Sequence, residues 1–87
     1  LVITVDEVVG LIRHELRSKL PSDKILDEGT QLSDLGLSSL QTSDIVFTLE
    51  EHHMVEFDAS QAADVKTIGD VVSVANAALA EKRAQVA

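Results

Sequence analysis

Two adjacent serines, Ser38 and Ser39, stand where a loop gives way to a helical pattern, within Leu35-Gly36-Leu37-Ser38-Ser39-Leu40-Gln41. Ser38 followed three residues later by Gln41 has the spacing of a capping box, in which each side chain satisfies the other residue's free backbone N–H. Ser39 then becomes the first helical residue. Its hydroxyl sits beside unpaired backbone N–H groups and the positive end of the helix dipole, a place that stabilises a phosphate ester. Gly36 can turn the chain tightly into that helix. The alternative is that both serines only cap. Serine is common at helix starts, and on physical grounds alone that plainer use has the stronger claim.

Other reactive groupings are weaker. His14, His52 and His53 could suggest a metal, but adjacent His52 and His53 point about 100° apart on a helix and no histidine–carboxylate spacing closes a site. A solvated His52 and a partly buried His53 are expected instead. The acidic clusters lack the fixed Gly and final Glu of a calcium loop. Gly36-Leu37-Ser38-Ser39-Leu40 lacks the second Gly of a nucleophile elbow, and no strand precedes it. With no base placed beside Ser39, hydrolysis is not expected, and the chain is expected not to be an enzyme.

Three amphipathic helices must position these residues. Val5, Val8, Val9, Ile12 and Leu16 fall at i, i+3, i+4, i+7 and i+11, and Ile68, Val71, Val72, Ala75 and Leu79 repeat those offsets. Thr4 stands three residues before Glu7, and Thr67 three before Asp70, as in capping boxes. The first helix is expected to end near Leu20, because Pro21 disfavours helix in the residue before it. The last should span about 68–82, its first turn slightly weakened by Gly69. The central helix should run from Ser39 to about His53, with the stripe Thr42, Ile45, Val46, Leu49 and His53, polar at both ends. From Pro21 to Leu37 runs a long connection rich in turn residues. Leu32 and Leu35 are expected to pin it to the core, and Ile25 and Leu26 to form a short turn. A short helical turn fits around Ser60–Asp64. The fold expected is an all-α bundle of three main helices and one short helix.

The 87 residues are read as a single domain, 1–87, with a small core and no room for a catalytic lobe. No apolar run approaches the roughly 20 residues of a membrane span. The chain begins without Met and without the basic start of a signal peptide. A cytoplasmic location is expected. There is no cysteine, which excludes disulfides and thiolate metal sites. Residues 22–64 hold ten acids and one base, a net of −9, whereas the flanks hold six bases and five acids. That field repels nucleic acid and anionic membrane and steers basic partners. It serves equally as a solvated surface that keeps the chain soluble.

The stretch Leu32-Ser33-Asp34-Leu35-Gly36-Leu37-Ser38-Ser39-Leu40 resembles the Leu-Gly-x-Asp-Ser-Leu attachment motif of acyl carrier proteins. Ile45-Val46-Phe47-Thr48-Leu49-Glu50-Glu51 resembles the family's central helix, and Val65-Lys66-Thr67-Ile68-Gly69-Asp70-Val71-Val72 the start of its last helix. The likeness spans about residues 4–80 in order. It implies a four-helix carrier bundle that holds acyl groups as thioesters on 4′-phosphopantetheine at Ser39. Because the chain has no thiol of its own, the sulfur comes from that added arm. A separate phosphopantetheinyl transferase would install the arm from coenzyme A. Three positions depart from the pattern. Ser38 replaces the usual Asp before the attachment serine, which removes a charge beside the transferase's metal and points to a specialised carrier. His53 stands where an aromatic is common, and Phe57-Asp58 replaces an isoleucine–proline pair.

On the central helix, Leu40, Asp44, Phe47 and Glu51 share a narrow arc opposite Ile45, Val46 and Leu49. An apolar centre rimmed by acids suits transient docking. With Glu50 these residues are the expected contact face for acyl-transfer or synthase enzymes with basic surfaces. The alternative is that Phe47 folds under the long loop or the short helix. The expected function is a monomeric, non-catalytic acyl carrier for fatty-acid, polyketide or related lipid biosynthesis. The alternatives are a peptidyl or aminoacyl carrier of the same fold, or an unmodified helical adaptor that binds basic partners.

Overall fold

The computed structural model describes residues 2–16 and 25–86. Its elements are α1 (Val5–Leu16), a 3-10 turn (Leu32–Leu35), α2 (Ser39–His53), α3 (Ala59–Ala63) and α4 (Ile68–Val86). This is the expected all-α bundle of three long helices and one short helix. The end foreseen for the first helix near Leu20 lies outside the described residues. The last helix continues four residues past the predicted 82, because Ala77–Ala84 consists of strong helix formers without a breaker.

α1 packs on both α4 and α2, α2 packs on α4, and α3 rests on α4. The shared core takes Val8, Ile12 and Leu16 from α1, Ile45 and Leu49 from α2, and Ile68, Val71, Ala75 and Ala78 from α4. Leu32, Val55 and Phe57 enter it from the connections. Ile12 and Leu49 are wholly buried, and each contributes about 1.5–3 kcal/mol of transfer free energy. Val5, Val9, Val46, Val72 and Leu79 are half-buried against that core. The predicted stripes are therefore the ones that pack, with Ala78 as an addition. Ile3 is also buried, and Asn76 of α4 grips its backbone from both sides: Ile3 N–H donates to Oδ1 (2.8 Å), and Nδ2 donates to the Ile3 carbonyl (2.9 Å).

The described part of the long connection, residues 25–37, is more ordered than its turn-rich composition suggests. Asp27 and Thr30 close a tight turn, in which the Asp27 carboxylate accepts from Gly29 N–H and the Thr30 hydroxyl. Three backbone bonds then tie it to the start of α4: Leu32 N–H to Lys66 O (2.8 Å), Ile68 N–H to Thr30 O (3.0 Å) and Gly69 N–H to Glu28 O (2.8 Å). Ile25 is exposed, and the turn falls at residues 28–29 rather than at Ile25 and Leu26. The reason is local: Asp27 and Thr30 supply the turn-forming side chains, and the two apolar residues supply none.

Carboxylates fix the starts of the last two helices. Asp58 caps α3, and its acidity is raised chiefly by the Ser60 hydroxyl and then by Gln61 N–H. Asp70 accepts from Lys66 and Thr67 N–H while its own N–H donates to Thr67 Oγ1, so its carboxyl is likewise held below the usual range, chiefly by the Lys66 N–H. At α1 the reciprocal box is only half formed. Glu7 N–H donates to Thr4 Oγ1 (3.2 Å), but the Glu7 carboxylate turns away to His53.

Candidate functional site

The path into α2 is set one residue at a time. Leu32 anchors the 3-10 turn in the core. Gly36 then takes a left-handed conformation (φ 75°), and its N–H donates to Ser33 O. Such a φ is cheap only for glycine, so the sharp entry into the helix depends on that residue. Ser38 is extended (φ −76°, ψ 166°) and caps α2. Both bonds of the capping box form: Gln41 N–H donates to Ser38 Oγ (3.1 Å), and Ser38 N–H donates to Gln41 Oε1 (3.0 Å). The roles predicted for Ser38 and Gln41 are thus the ones observed.

Ser39 is left as the first helical residue, with an exposed side chain. It borders an open cleft of about 490 Å³ between the 3-10 turn, α2 and α3, walled by Leu32, Leu37, Thr42, Ala62 and Val65. Thr42 and Ala62 also line a second groove of about 360 Å³ between α2 and α3, which reaches Val46 and Phe57. Together the two, which share Thr42, Ser43, Ala62 and Ala63 in their walls, make a furrow on the α3-facing side of α2 that begins beside Ser39. Its residues suit a long, flexible, partly polar substituent on Ser39. The hydroxyl is reachable, the helix N-terminus favours a phosphodiester, and the mouth of the furrow offers Ser33, Thr42 and Ser43 hydroxyls beside apolar walls.

The outer face of α2 carries most of the predicted contact residues. Leu40 is 73% exposed and Phe47 59% exposed, so Phe47 lies under neither the loop nor the short helix. Asp44 and Glu51 are exposed between and beside them. Glu50 differs. It is half-buried, and its carboxylate accepts the Phe57 N–H at 2.8 Å, tying α2 to the connection that follows. The sequence placed it with Glu51 on the contact face, yet adjacent positions on a helix face different directions.

The histidines fall as predicted. His52 is exposed, and His53 is half-buried against Glu7 (2.7 Å), linking α2 to α1. Among the described residues no three His, Asp or Glu side chains are arranged to hold a metal ion, and no helix is long and apolar enough to cross a membrane. One exposed residue escaped the sequence reading. Met54, immediately after α2, has φ 53° and is 79% exposed.

Comparison with known proteins finds relatives along nearly the whole chain. Residues 6–74 match the family model described as a phosphopantetheine attachment site. The chain is 39% identical to acyl carrier protein 3 of Ralstonia nicotianae over 92% of its own length and 94% of that protein. It is 32% identical to chloroplastic acyl carrier protein 1 of Spinacia oleracea over 91% of its length, spanning 56% of that longer protein. In fold it is similar to the acetyl actinorhodin acyl carrier protein of Streptomyces coelicolor (TM-score 0.78, 23% identity, 93% of this chain and 95% of that one). It is also similar to the holo acyl carrier protein of Geobacter metallireducens (TM-score 0.74, 22% identity, 93% and 91%).

Proposed function

We propose, on the premise that this chain belongs to the phosphopantetheine attachment-site family of acyl carrier proteins, that Ser39 bears the arm and that acyl intermediates travel on it as thioesters. The family is one of carriers and not of catalysts, so the chemistry is done by the enzymes the protein visits. In the loading step the Ser39 hydroxyl displaces adenosine 3′,5′-bisphosphate from coenzyme A. A phosphodiester forms at Oγ as the pyrophosphate bond breaks, and the hydroxyl proton passes to a base of the transferase. When attached, the arm supplies the thiol that this chain lacks.

The observation that carries the assignment to Ser39 is the division of labour between the two serines. Ser38 Oγ is engaged in the capping box, whereas Ser39 is exposed at the first turn and opens onto the furrow. The chain's own part is threefold. Ser38, Gln41 and Gly36 hold the attachment point still. The furrow gives the arm and its cargo a partly apolar place to lie. The outer face of α2, with Leu40, Asp44, Phe47 and Glu51, meets acyl-transfer or synthase enzymes that bear basic surfaces. The acyl groups proposed are those of fatty-acid, polyketide or related lipid biosynthesis.

The test is intact and fragment mass measurement after incubation with a broad-specificity phosphopantetheinyl transferase and coenzyme A. One arm on Ser39, absent from Ser39→Ala and retained in Ser38→Ala, is expected. An arm on Ser38, or one that survives Ser39→Ala, overturns the assignment.

A further inference from the structure

Among the described residues, the cleft beside Ser39 has one charged residue on its wall, and that residue is a base. Lys66 lines it together with Gln31, Ser33 and Ser39 itself. A base there runs against the local trend, since residues 22–64 carry a net of −9. A phosphodiester formed on Ser39 would add a further negative charge to that field, at the point where Lys66 stands.

The backbone of Lys66 is held at both of its polar groups. Its carbonyl accepts Leu32 N–H at 2.8 Å, and its N–H donates to Asp70 Oδ2 at 3.0 Å. The root of the side chain is therefore fixed by main-chain bonds that any residue could make. The side chain is different. It is exposed, and among the described residues its ammonium takes part in no hydrogen bond or ion pair. Arg13, Lys82 and Arg83 are all engaged, Lys82 with the His53 carbonyl at 3.3 Å. Nor does Asp70 absorb the Lys66 charge. The Asp70 carboxyl is held low chiefly by the Lys66 N–H and then by the Thr67 N–H, and the ammonium adds least. The protein itself gives this cation no partner.

We infer that Lys66 holds the phosphodiester of the attached arm, its ammonium meeting the phosphate carried on Ser39 across the cleft. This rests on the carrier reading proposed above. Lysine is a compact charge with three donors on a flexible four-carbon stem, and it binds phosphate as a point charge rather than through a rigid fork. It fastens the root of the arm while leaving the distal end free to reach partner enzymes. It also offsets the charge that loading adds beside the acids. Because the contact is open to solvent, it is weak and sensitive to salt.

The experiment loads wild type, Lys66→Gln and Lys66→Arg with a broad-specificity phosphopantetheinyl transferase and coenzyme A, and melts each before and after loading. Comparing the two changes isolates the coupling between lysine and arm from any effect of the substitution on the apo fold. In dilute buffer, the change in melting temperature on loading should be more favourable in wild type than in Lys66→Gln by about 2–4 °C. Lys66→Arg should match wild type, and the difference should vanish at about 1 M salt. In the wild-type chain the Lys66 ε-methylene proton resonances should also move on loading. An equal change on loading in wild type and Lys66→Gln overturns the inference, and so do ε-methylene resonances that stay in place. Slow loading of Lys66→Gln with that equal change assigns the lysine to the transferase instead, and overturns it too. Each of these results leaves the carrier reading intact. A wild-type chain that acquires no arm removes the carrier reading, and this inference falls with it.

Discussion

Helix propensity and tertiary structure give opposite signs for Gly69→Ala. Gly69 is the second residue of α4, and exchanging glycine for alanine inside a helix ordinarily stabilises by about 1 kcal/mol. Here a Cβ would lie 2.9 Å from the Glu28 carbonyl oxygen and 3.3 Å from Glu28 Cβ. The first of these is a backbone atom and cannot rotate away. The two segments must separate, which weakens the Gly69 N–H to Glu28 O bond of 2.8 Å. Overpacking costs about 1–3 kcal/mol and a weakened hydrogen bond about 1 kcal/mol. After the propensity gain is subtracted, a net loss of about 1–3 kcal/mol remains, or roughly 5–15 °C in melting temperature for a chain of this size. Thermal and urea melts followed by circular dichroism read it directly. A further substitution, Glu28→Ala, should not rescue the variant, since the clash is with main chain. A melting temperature that rises in Gly69→Ala would refute the close approach and return the glycine to the role of a weak helix former.

Ser38→Ala should cost about 1 kcal/mol in a melt, the usual value of an N-cap, and Ser38→Asp should keep the cap and speed loading by a general-purpose transferase; slower loading would refute the account of that substitution. Glu51→Lys should lower the association rate with a basic partner and leave stability nearly unchanged, whereas Glu50→Lys should also lower the melting temperature by breaking the bond to Phe57 N–H; equal melts would show that bond to be unimportant. Phe47→Ala should chiefly raise the dissociation rate, and a large fall in melting temperature would place the ring in the core. Asp58 and Asp70 are held below the usual carboxylate range in the folded chain, so their stabilisation is complete above about pH 4 and is lost as pH falls through the lower folded values. Acid melts of Asp70→Asn should therefore show a shallower decline than wild type, and an identical acid limb would show that Asp70 contributes nothing to it.

The helices and their inward faces were legible because the signal is periodic and local. Val8, Ile12 and Leu16 needed only their spacing, and Ser38 with Gln41 needed only an offset of three. The long connection was not legible in the same way. What orders it is pairing between residues 28–32 and 66–69, across more than thirty positions, by backbone groups that every residue type possesses. Gly69 illustrates the loss. Its local reading is a weak helix former, and its use as a gap for Glu28 appears only once the two segments meet. Asn76 is similar: an asparagine on a helix surface carries no mark of the buried backbone at Ile3 that it grips.

The acids of α2 bear on how such a carrier keeps stability separate from recognition. A net of −9 over residues 22–64 invites a picture of one uniform steering field, but its members are not equivalent. Glu50 and Asp58 are engaged by backbone N–H groups around α3, and Asp27 closes the turn that precedes the site. Asp44 and Glu51 stand exposed on the outer face. Screening by salt, with a Debye length of about 8 Å at physiological ionic strength, should shorten the reach of all these charges equally. The hydrogen bonds are short-ranged and should survive it. Raising salt should therefore slow encounter with basic partners while the helix start that presents Ser39 stays in place. Recognition and architecture draw on the same residue type and remain separable because their ranges differ.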